Sequence, residues 1–587
     1  MNSEAALKPR VWRVLSTDAA LEEELVRTLP VSLPFCRILL TRGITSIPQA
    51  QRFLSPDLDD LYAPSLMADM DRAVLRTRQA LERNERIMVH GDYDVDGVTS
   101  AALMVRVLRV LGADVNWYVP HRQREGYDIG RPAVEAAKER GVRLIITTDC
   151  GTSAVEAVEY ARSIGIDVIV TDHHELGTDP APAFALINPR RPDCPYPFKD
   201  LAGVGVAFKF AEALVGECGY DTAAFRRRFC DLAAIGTVAD VVPLLDENRT
   251  LVKFGMEELL RTGKKGLQAL LKVSGLAGRP MTSHILAFTI APRLNAAGRV
   301  DDASIALDLL LAADDREAAR LAETLEARNR ERQAEQERIT REALDQVISQ
   351  RMDEKAKVLV LSSKGWHPGV VGIVANKIAD RYNRPTILVA LDETGEAGVG
   401  SARSTPAFDL FGALMQCRHL LERCGGHARA AGLSIAADKL PEFDAAINRI
   451  AEGILAETDL VPQLEIDAGI ELDAVTRDFA YELQLLEPYG NCNRAPVFLS
   501  RRAPILDKTR MGANRDHLRL KLGAGSGRPV ECVAFGWGGS DEAFRVGSLL
   551  DVCYNIRINQ FAGTETVQAI LCDACASDEE LKKAPSP

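Results

Sequence analysis

The 587-residue sequence contains no apolar run that approaches the roughly 18 residues of a membrane-spanning helix. Its N-terminal stretch, MNSEAALKPRVWRV, also lacks the apolar core of a secretory signal. Both absences argue against a membrane or secreted protein. They predict a cytoplasmic location and no membrane partner.

Clustered cysteine pairs and an excess of positive charge are missing too. The 12 cysteines are scattered, and the CxxC of Cys572 and Cys575 has no second pair, so we expect reduced thiols and no structural zinc site. The net charge of −12 argues against a protein that coats nucleic acid over its whole surface. It does not exclude a local basic channel, because phosphate binding depends on where Lys and Arg lie.

Length predicts about three or four domains, and strands that alternate with helices predict an α/β multidomain protein. Hydrophobic residues make up 47% and charged residues 26%, as in ordinary globular proteins, and 587 residues exceed what one core supports. Asp315 to Gln350 contains neither Gly nor Pro and predicts one long, largely exposed helix. The pattern predicts a lead-in (1–80), a parallel α/β domain (81–310) and the connecting long helix (311–352). A smaller α/β domain (353–455), an all-β domain (462–576) and a flexible tail (577–587) are predicted to follow.

One stretch, RIMVHGDYDVDG, carries four potential metal or proton ligands where a short buried strand ends. His90, Asp92, Asp94 and Asp96 occupy alternate positions, and Gly97 then opens a helix. Carboxylates this close repel one another, and burial raises the cost of each charge. A divalent cation would make the cluster favourable, whereas a solvated acidic loop is the alternative interpretation.

Residues 86–190 alternate apolar strands with helices, which predicts a parallel sheet buried on both faces. Ligands bind at the carboxyl ends of the strands in such sheets. Two further strands end in polar residues, one at Asp149 and one at Asp172, His173 and His174. Asp149 alone could be a helix cap, but three polar strand ends at one edge favour a metal site.

Asp240 lies in the otherwise apolar run DLAAIGTVADVVPL. A lone buried carboxylate is costly unless it is paired or binds a metal, so Asp240 is a further candidate ligand. Asp231, at the start of the same run, is equally consistent with a helix cap.

A basic segment follows in APRLNAAGRVDDAS. We interpret it as a loop in which Arg293, Asn295 and Arg299 contact phosphate or sugar groups. A structural turn that contains a salt bridge is the alternative for the same residues.

The smaller α/β domain carries three polar clusters, GWH, GSARS and CGGHAR. Arg403 and Ser401 in the second cluster offer donors to a phosphate. The two glycines before His427 let the backbone approach a ligand closely. Each cluster alone could be a turn, but the three together predict a substrate-binding face.

After residue 462, short strands separated by turn residues predict a small barrel of the oligonucleotide-binding kind. Arg515, Arg519 and Lys521 alternate with leucines, which gives one strand a basic face suited to a single nucleic-acid strand. An ordinary exposed polar sheet face is the alternative.

Four ordered segments, HGDYDVDG, TTDCG, TDHHE and GTVADVVP, resemble the motifs of the DHH phosphoesterase superfamily. GWHPGVVGIVA, GSARS and GGHARAAG resemble the DHHA1 domain that accompanies it. VPHRQREGY, LAGVGVAFK and APRLNAAGR, with the β domain, are similar to the single-strand-specific DNA exonucleases of that superfamily. The resemblance implies a parallel-sheet DHH domain joined by a long helix to a smaller α/β DHHA1 domain, followed by an OB-fold.

The resemblance also implies a function. Such exonucleases use two divalent cations, Mn²⁺ or Mg²⁺, to remove nucleotides from the 5′ end of single-stranded DNA during repair and recombination. A helicase and a single-strand-binding protein are expected as partners, and the chain is expected to be a monomer.

Roles for individual residues follow from the same resemblance. Asp149 is expected to bridge the two ions, and Asp92 and Asp172 to orient the ligands. His174 is expected to face the scissile phosphate. The implied metal ligands are His90, Asp94, Asp96, Asp149, His173 and Asp240. The residues implied to hold substrate phosphates are Arg122, Arg299, Ser401, Arg403 and His427.

Two other functions fit parts of the sequence. Phosphodiesterases of the same superfamily, which act on nano-oligonucleotides or cyclic dinucleotides, are typically shorter and lack the β domain, so residues after 462 count against this hypothesis. Related single-stranded-DNA-binding replication scaffolds have lost their metal ligands. Here every acidic motif position is filled, which counts against a scaffold.

Overall fold

The structure is a computed structural model that describes residues 10–122, 124–300, 303–561 and 564–577. The chain divides into two compact units, of which 58–460 is one, while 1–57 groups with 461–587 in the other. The predicted flexible tail lies, from residue 578 onward, outside the described residues. No helix within the described ranges is both long and apolar enough to cross a membrane.

The N-terminal segment comprises one strand and short helices. They are β1 (Val11–Val14), α1 (Ala19–Thr28), α2 (Leu33–Thr41) and α3 (Ile47–Leu54). The segment PQAQRFL forms α3, whose Ser46 hydroxyl accepts a hydrogen bond from the Gln49 amide at the helix start.

The larger unit begins with the parallel sheet that the sequence predicts. Its strands are β2 (Ile87–Gly91), β3 (Val115–Tyr118), β4 (Leu144–Thr148), β5 (Asp167–Thr171) and β6 (Ala185–Ile187). They pair in the order β3-β2-β4-β5-β6, with every neighbouring pair parallel. All residues of β2 and β4 are buried, which explains their continuous apolar character. The helices around the sheet are α4 (Met70–Glu82), α5 (Val95–Val110), α6 (Arg131–Glu139) and α7 (Val155–Ser163).

A helical region completes this part of the unit. Its helices are α8 (Gly203–Glu217), α9 (Thr222–Ala239), α10 (Asp246–Leu259), α11 (Lys265–Val273), α12 (Ser283–Ile285), α13 (Ala291–Val300) and α14 (Ser304–Leu311). The interpretation of APRLNAAGR as a loop is wrong, because it forms α13. Helical backbone continues without a break from the π-helical turn Leu286–Ile290 into α13, and Pro292 lies just after that turn. Leu294 and Ala297 are buried against the core.

The long helix is α15 (Asp315–Gln350), 36 residues, followed by α16 (Met352–Lys355). One side of α15 is buried, including the polar residues Asn329 and Arg332. The next strands are β7 (Leu359–Lys364), β8 (Thr386–Leu391), β9 (Ala397–Arg403), β10 (Arg423–His427) and β11 (Ala430–Ala436), in the sheet order β10-β11-β9-β8-β7. The accompanying helices are α17 (Pro368–Tyr382), α18 (Leu410–Gln416) and α19 (Leu440–Glu452).

The smaller unit contains the all-β domain. Its elements are β12 (Gln463–Ile466), β13 (Ala468–Gly469), α20 (Arg477–Gln484), β14 (Phe498–Met511), β15 (His517–Leu522), β16 (Val530–Ala534), β17 (Leu549–Phe561) and β18 (Thr564–Ala576). The strands pair in the order β13-β14-β15-β16-β18-β17, and β14 also pairs with β17, which closes a barrel. The predicted fold class, parallel-sheet α/β, long helix, smaller α/β and all-β domain, is confirmed.

The N-terminal segment belongs to the same unit as this barrel. β1 pairs in parallel with β12, and the Trp12 indole donates to Asp573. Arg42 lies 3.3 Å from Asp467, and both side chains are almost fully buried. The sequence could not show these contacts, because the paired segments lie at opposite ends of the chain.

We expect Arg42→Ala to destabilise the smaller unit by about 3 kcal/mol, because the buried charge of the Asp467 carboxylate then loses its pairing with the Arg42 guanidinium. Amide hydrogen exchange of β12 to β14 measures this loss. Arg501 forms an ion pair with Asp551, and its side chain is 63% exposed. Arg501→Ala should therefore reduce the free energy of unfolding by less than about 1 kcal/mol. Equal exchange rates in the two variants would contradict a role for Arg42 in this unit.

Candidate metal and phosphate site

The carboxyl edge of the parallel sheet collects the acidic motifs. Asp92 follows β2, and Asp94 caps α5 by accepting a hydrogen bond from the Gly97 amide at 3.1 Å. A Cβ at Gly97 would lie 2.6 Å from the backbone of Asp92, so the turn requires glycine there. Asp149 follows β4 in the left-handed region at φ 62°, a conformation that Asp tolerates better than most residues.

The structure brings most of the predicted ligands together. Among the described residues, three groups have potential ligand atoms within 4.8 Å of one another. The groups are Asp149 with His173 and His174, Asp96 with His173 and Asp240, and Asp92 with Asp94 and Asp149. Asp149 and His173 each belong to two groups, so the three form one continuous cluster.

Unpartnered atoms in the cluster fit a cation. His173 Nε2 lies 3.1 Å from Asp149 Oδ1 and 3.6 Å from Asp240 Oδ2. Within the described ranges, His173 Nε2 and Asp149 Oδ1 still have no hydrogen-bond partner, and neither does Asp92 Oδ1. Buried polar atoms left in this state are costly, and carboxylate oxygens with an imidazole are ligands that suit Mn²⁺ or Mg²⁺.

The electrostatics of the cluster point the same way. Burial and the neighbouring Asp94 raise the pKa of Asp96 to about 7. Burial, Asp96 and Asp94 raise the pKa values of Asp149 and Asp240 well above the usual range. Burial, with the nearby His174, lowers the pKa of His173 to about 3, so its imidazole is neutral and able to bind a metal. A bound cation would reverse the carboxylate repulsion.

Backbone groups of α8 hold Asp96 in place. The Gly203 and Val204 amides donate to its two carboxylate oxygens at 2.7 and 2.8 Å. A Cβ at Gly203 would lie 2.4 Å from Asp149 Oδ1, and one at Gly236 would lie 2.8 Å from Asp96 Oδ1. Both glycines were missed at the sequence level, because their role depends on how closely α8 and α9 approach the strand ends.

Asp172 positions both histidines that follow it. Its carboxylate accepts hydrogen bonds from the Thr152 amide, from the His173 and His174 amides and, at 2.8 Å, from His174 Nδ1. Burial alone would raise the pKa of Asp172. The hydrogen bond from His174 and the charge of that residue nevertheless hold this pKa well below its usual range. Burial alone would lower the pKa of His174, but the hydrogen bond to Asp172 and the charge of its carboxylate raise this pKa to about 9. The Tyr127 hydroxyl, not predicted from the sequence, lies 3.0 Å from His174 Nδ1.

His90 lies apart from these groups. It is fully buried at the end of β2, its Nδ1 is 3.4 Å from the Cys150 sulfur, and its ring stacks on Tyr118. Burial lowers its pKa to about 4. His90 Nε2 has no hydrogen-bond partner in the part of the chain that is described, but the structure does not place it in a ligand group. Its assignment as a ligand stays a prediction.

Asp231 has a structural partner. Its carboxylate lies 2.8 Å from the Lys264 ammonium and accepts a hydrogen bond from the Thr262 hydroxyl. All three residues are buried. The open question about Asp231 is therefore answered by a buried ion pair inside the helical region.

Arginines from three parts of the larger unit converge beside the cluster. Burial and the charges of Arg122, Arg332 and Arg403 lower the pKa of Arg299 to about 9, while Asp94 acts in the opposite direction. Arg299 donates to the Gly369 carbonyl at the start of α17, and Arg403 donates to the Ser401 hydroxyl at 3.1 Å. Guanidinium groups that repel one another in a partly buried place form a site for an anion.

Arg332 was missed at the sequence level. It lies on the buried side of α15, donates to Asn329 and Gln336, and leaves its Nε without a partner among the described residues. A long run of charged residues in a helix gave no signal that this one arginine is buried. Its burial is a result of tertiary packing, since both α13 and α17 lie against α15.

Other predicted substrate residues are placed differently. Arg293 forms an ion pair with Glu326 at 2.6 Å and donates a hydrogen bond to the Thr289 carbonyl. For this residue the structure therefore shows the salt bridge that the sequence offered as the alternative to a phosphate contact. Asn295 lies partly exposed on α13. His427 is exposed at the end of β10, and its Nδ1 accepts a hydrogen bond from the Arg429 amide.

The basic face of the β domain is smaller than predicted. Arg519 and Lys521 alternate on β15 with the buried Leu518, Leu520 and Leu522. Arg515 precedes the strand in a turn at φ 60°, so the prediction that it shares this face is wrong. The alternation in the sequence continues through Arg515, but the strand begins only at residue 517.

Comparisons with known proteins agree with this arrangement. Family models match as the DHH family N-terminal domain at residues 86–237, the DHHA1 domain at 355–453 and the RecJ OB domain at 466–573. The single-stranded-DNA-specific exonuclease RecJ of Dickeya dadantii is 36% identical over 94% of this chain and 97% of its own length. RecJ of Bacillus subtilis is 39% identical over 97% of this chain and 71% of its own length.

A solved structure extends the similarity to the fold. The crystal structure of RecJ in complex with Mn²⁺ from Thermus thermophilus has a TM-score of 0.82 and 33% identity, and the match covers 97% of this chain and 80% of the other. A second crystal structure of the same protein contains Mg²⁺. Identities above 30% that extend along most of both chains leave one conclusion: the chain belongs to the RecJ family.

Proposed function

We propose that this chain is a metal-dependent exonuclease that removes 5′-mononucleotides from single-stranded DNA in the 5′→3′ direction. One observation carries the proposal: a continuous cluster of carboxylates and imidazole, with unpartnered ligand atoms, lies beside guanidinium groups that repel one another. The first arrangement suits divalent cations and the second suits a phosphate. Membership of the RecJ family supplies the polymer class and the action at a strand end.

The cations are two Mn²⁺ or Mg²⁺ ions. The ligands we propose are Asp94, Asp96, Asp149, His173 and Asp240, with His90 as a further predicted one. Bound ions of this kind activate water and neutralise charge that develops on a phosphate. Asp149 and His173 each lie in two of the ligand groups, but only the carboxylate has two oxygens to offer, so Asp149 would be the residue shared by two ions.

The residues of the chain have separate tasks in hydrolysis. Asp172 holds His174 in a fixed orientation through the bond to its Nδ1. In this orientation the imidazole would donate a hydrogen bond to the scissile phosphate. Arg122, Arg299 and Arg403 with Ser401 hold phosphates of the strand. Water adds to phosphorus, the bond from phosphorus to the 3′ oxygen of the terminal nucleotide breaks, and that oxygen takes a proton. The shortened strand keeps a 5′ phosphate and re-enters the site.

The alternatives fit the chain less well. The β domain matches the RecJ OB model over residues 466–573, whereas a phosphodiesterase of short substrates does not need such a domain. A binding scaffold does not need the cluster of buried carboxylates. The helicase, the single-strand-binding protein, the monomeric state and the cytoplasmic location remain proposals from family membership.

Digestion of single strands labelled at either end tests the proposed reaction. With Mn²⁺ or Mg²⁺ we expect mononucleotides from the 5′ label at the earliest times, later loss of the 3′ label, and no digestion of blunt duplex. EDTA should abolish the reaction. Early release of the 3′ label would reverse the proposed polarity, and digestion that EDTA does not affect would contradict the metal site.

Asp172→Asn tests the positioning of His174. The amide keeps the shape of the side chain but cannot accept every hydrogen bond that the carboxylate accepts. We expect kcat to fall about 10–100-fold, as for other residues that orient catalytic or metal-binding groups, while affinity for single-stranded DNA changes less than about threefold. Thr178→Ala, in the exposed loop that follows, is the control. Unchanged kcat in Asp172→Asn would contradict the positioning role.

A further inference from the structure

An exposed aromatic pair lies on the helical segment that leads to the arginine cluster. Phe288 is 69% exposed, more than any other large hydrophobic residue that the structure describes. The exposed His284 lies one turn earlier, and the two ring centroids are 4.6 Å apart. A ring this exposed contributes little to the hydrophobic core and is available to a ligand.

The pair shares a helix face with Arg299. The positions 284, 288, 292, 295 and 299 are spaced by four, four, three and four residues, close to one helical turn each, along the continuous helical run 283–300 that includes the π-helical turn Leu286–Ile290. Every one of them is exposed or partly exposed. The opposite side packs into the core through Leu286, Ile290, Leu294, Ala297 and Gly298. One accessible stripe therefore runs from the aromatic pair to the phosphate site.

This stripe is anchored to its surroundings. Arg293 on α13 forms a partly buried salt bridge with Glu326 on α15. The turn that carries Phe288, Leu286–Ile290, is π-helical, a local distortion that often accompanies functional sites. At the α-helical rise of 1.5 Å per residue, Phe288 lies at most about 16 Å along the axis from Arg299.

We propose that Phe288, with His284 beside it, is a stacking platform for an unpaired base of the DNA strand whose terminal phosphates lie at Arg299. The proposal rests on the proposed function. Aromatic rings hold single strands of any sequence because every base offers a π-face. A duplex presents no free base face along its length, so the platform favours single strands.

The spacing sets where the stacked base lies. A strand stacked as in B-DNA advances about 3.4 Å per nucleotide and needs about five nucleotides to cover 16 Å. A more extended strand needs fewer. The platform therefore contacts one of about the second to sixth nucleotides from the terminal phosphate. It would hold the strand between cleavage events.

Binding of 5′-phosphorylated oligothymidylate, measured by anisotropy in the full-length Asp149→Asn protein, tests the platform without digestion of the DNA. Adding Phe288→Ala should weaken binding about five- to a hundredfold, the loss expected for one stacked base. Adding Phe288→Trp should restore it. Tyr220→Ala, which removes a tyrosine that is 51% exposed elsewhere in the same unit, should leave binding unchanged.

Oligonucleotides with one abasic site at positions two to six locate the contact. An abasic site at one of these positions should weaken binding to the Asp149→Asn protein. The same abasic site should cause no further loss of binding once Phe288→Ala has been added. Equal binding by Phe288→Ala and Tyr220→Ala would overturn the platform, as would equal sensitivity of both proteins to every abasic position. Failure of the proposed function is seen separately, as the absence of metal-dependent digestion by the unmodified chain.

Discussion

Replacing Asp149 with Asn should lower the rate of single-strand digestion by at least about a thousandfold, because the loss of several kcal/mol of cation stabilisation corresponds to such a factor. Asn is the informative replacement. Residue 149 has a φ of 62°, and Asn accepts this left-handed conformation whereas Ala resists it. The variant therefore removes the charge and leaves the backbone in place. Binding of single-stranded DNA should persist.

The same variant makes an opposite prediction for stability without metal. Burial and the neighbouring carboxylates raise the pKa of Asp149 well above its usual range, so the charged cluster is unfavourable when no cation is present. In EDTA the thermal midpoint of Asp149→Asn should be equal to or higher than that of the unmodified chain. Added Mn²⁺ should raise the midpoint of the unmodified chain more than that of the variant, since ligand binding stabilises the folded state.

Asp179→Asn provides the matched control, since residue 179 lies in an exposed loop after the same sheet edge. It should digest DNA and respond to Mn²⁺ like the unmodified chain. Undiminished digestion by Asp149→Asn would remove Asp149 from the proposed metal site. An equal Mn²⁺ response in both variants would do the same.

Replacing Arg299 with Met should raise KM for single-stranded DNA about 10–100-fold, the effect of losing one charge-assisted contact with a phosphate. The dependence of binding on salt should also weaken by about one unit of slope. Arg299 is held among other arginines, and burial together with their repulsion lowers its pKa to about 9. Its removal should therefore cost little stability, within about 1 kcal/mol.

Arg293→Met on the same helix is the control. Arg293 pairs with Glu326 in the free protein, so its loss should reduce stability by about 1–3 kcal/mol. The salt dependence of DNA binding should not change. A weakened salt slope in Arg293→Met but not in Arg299→Met would exchange the roles proposed for the two arginines. Thermal unfolding and DNA titration at several salt concentrations distinguish these outcomes.

The acidic motifs were predictable because local order in the sequence is enough to place them. Apolar strands followed by Asp or His predict polar residues at the carboxyl edge of a parallel sheet. The structure brings Asp96, Asp149, His173 and Asp240 together there. Asp240 was recognisable because a carboxylate in an apolar run needs a partner.

Other parts of the site could not be read in this way. Tyr127 reaches His174 from a loop that has no regular pattern. Arg332 looks like every other arginine of α15 in the sequence, and only tertiary packing distinguishes it by burying it. Arg293 and Arg299 look alike in the sequence, yet Glu326 neutralises the first and other arginines surround the second.

The sequence by itself determined the kinds of chemistry and their order along the chain: acidic motifs after apolar strands, a long helix, basic residues and a β domain. Strand periodicity and residue type are local properties, so they can be recognised from the sequence alone. Only the tertiary structure decided which charges meet, because contacts such as Arg299 with Gly369 or Arg42 with Asp467 join residues far apart in the chain. The distance between charged groups determines their interaction energy, and that distance exists only in the folded protein.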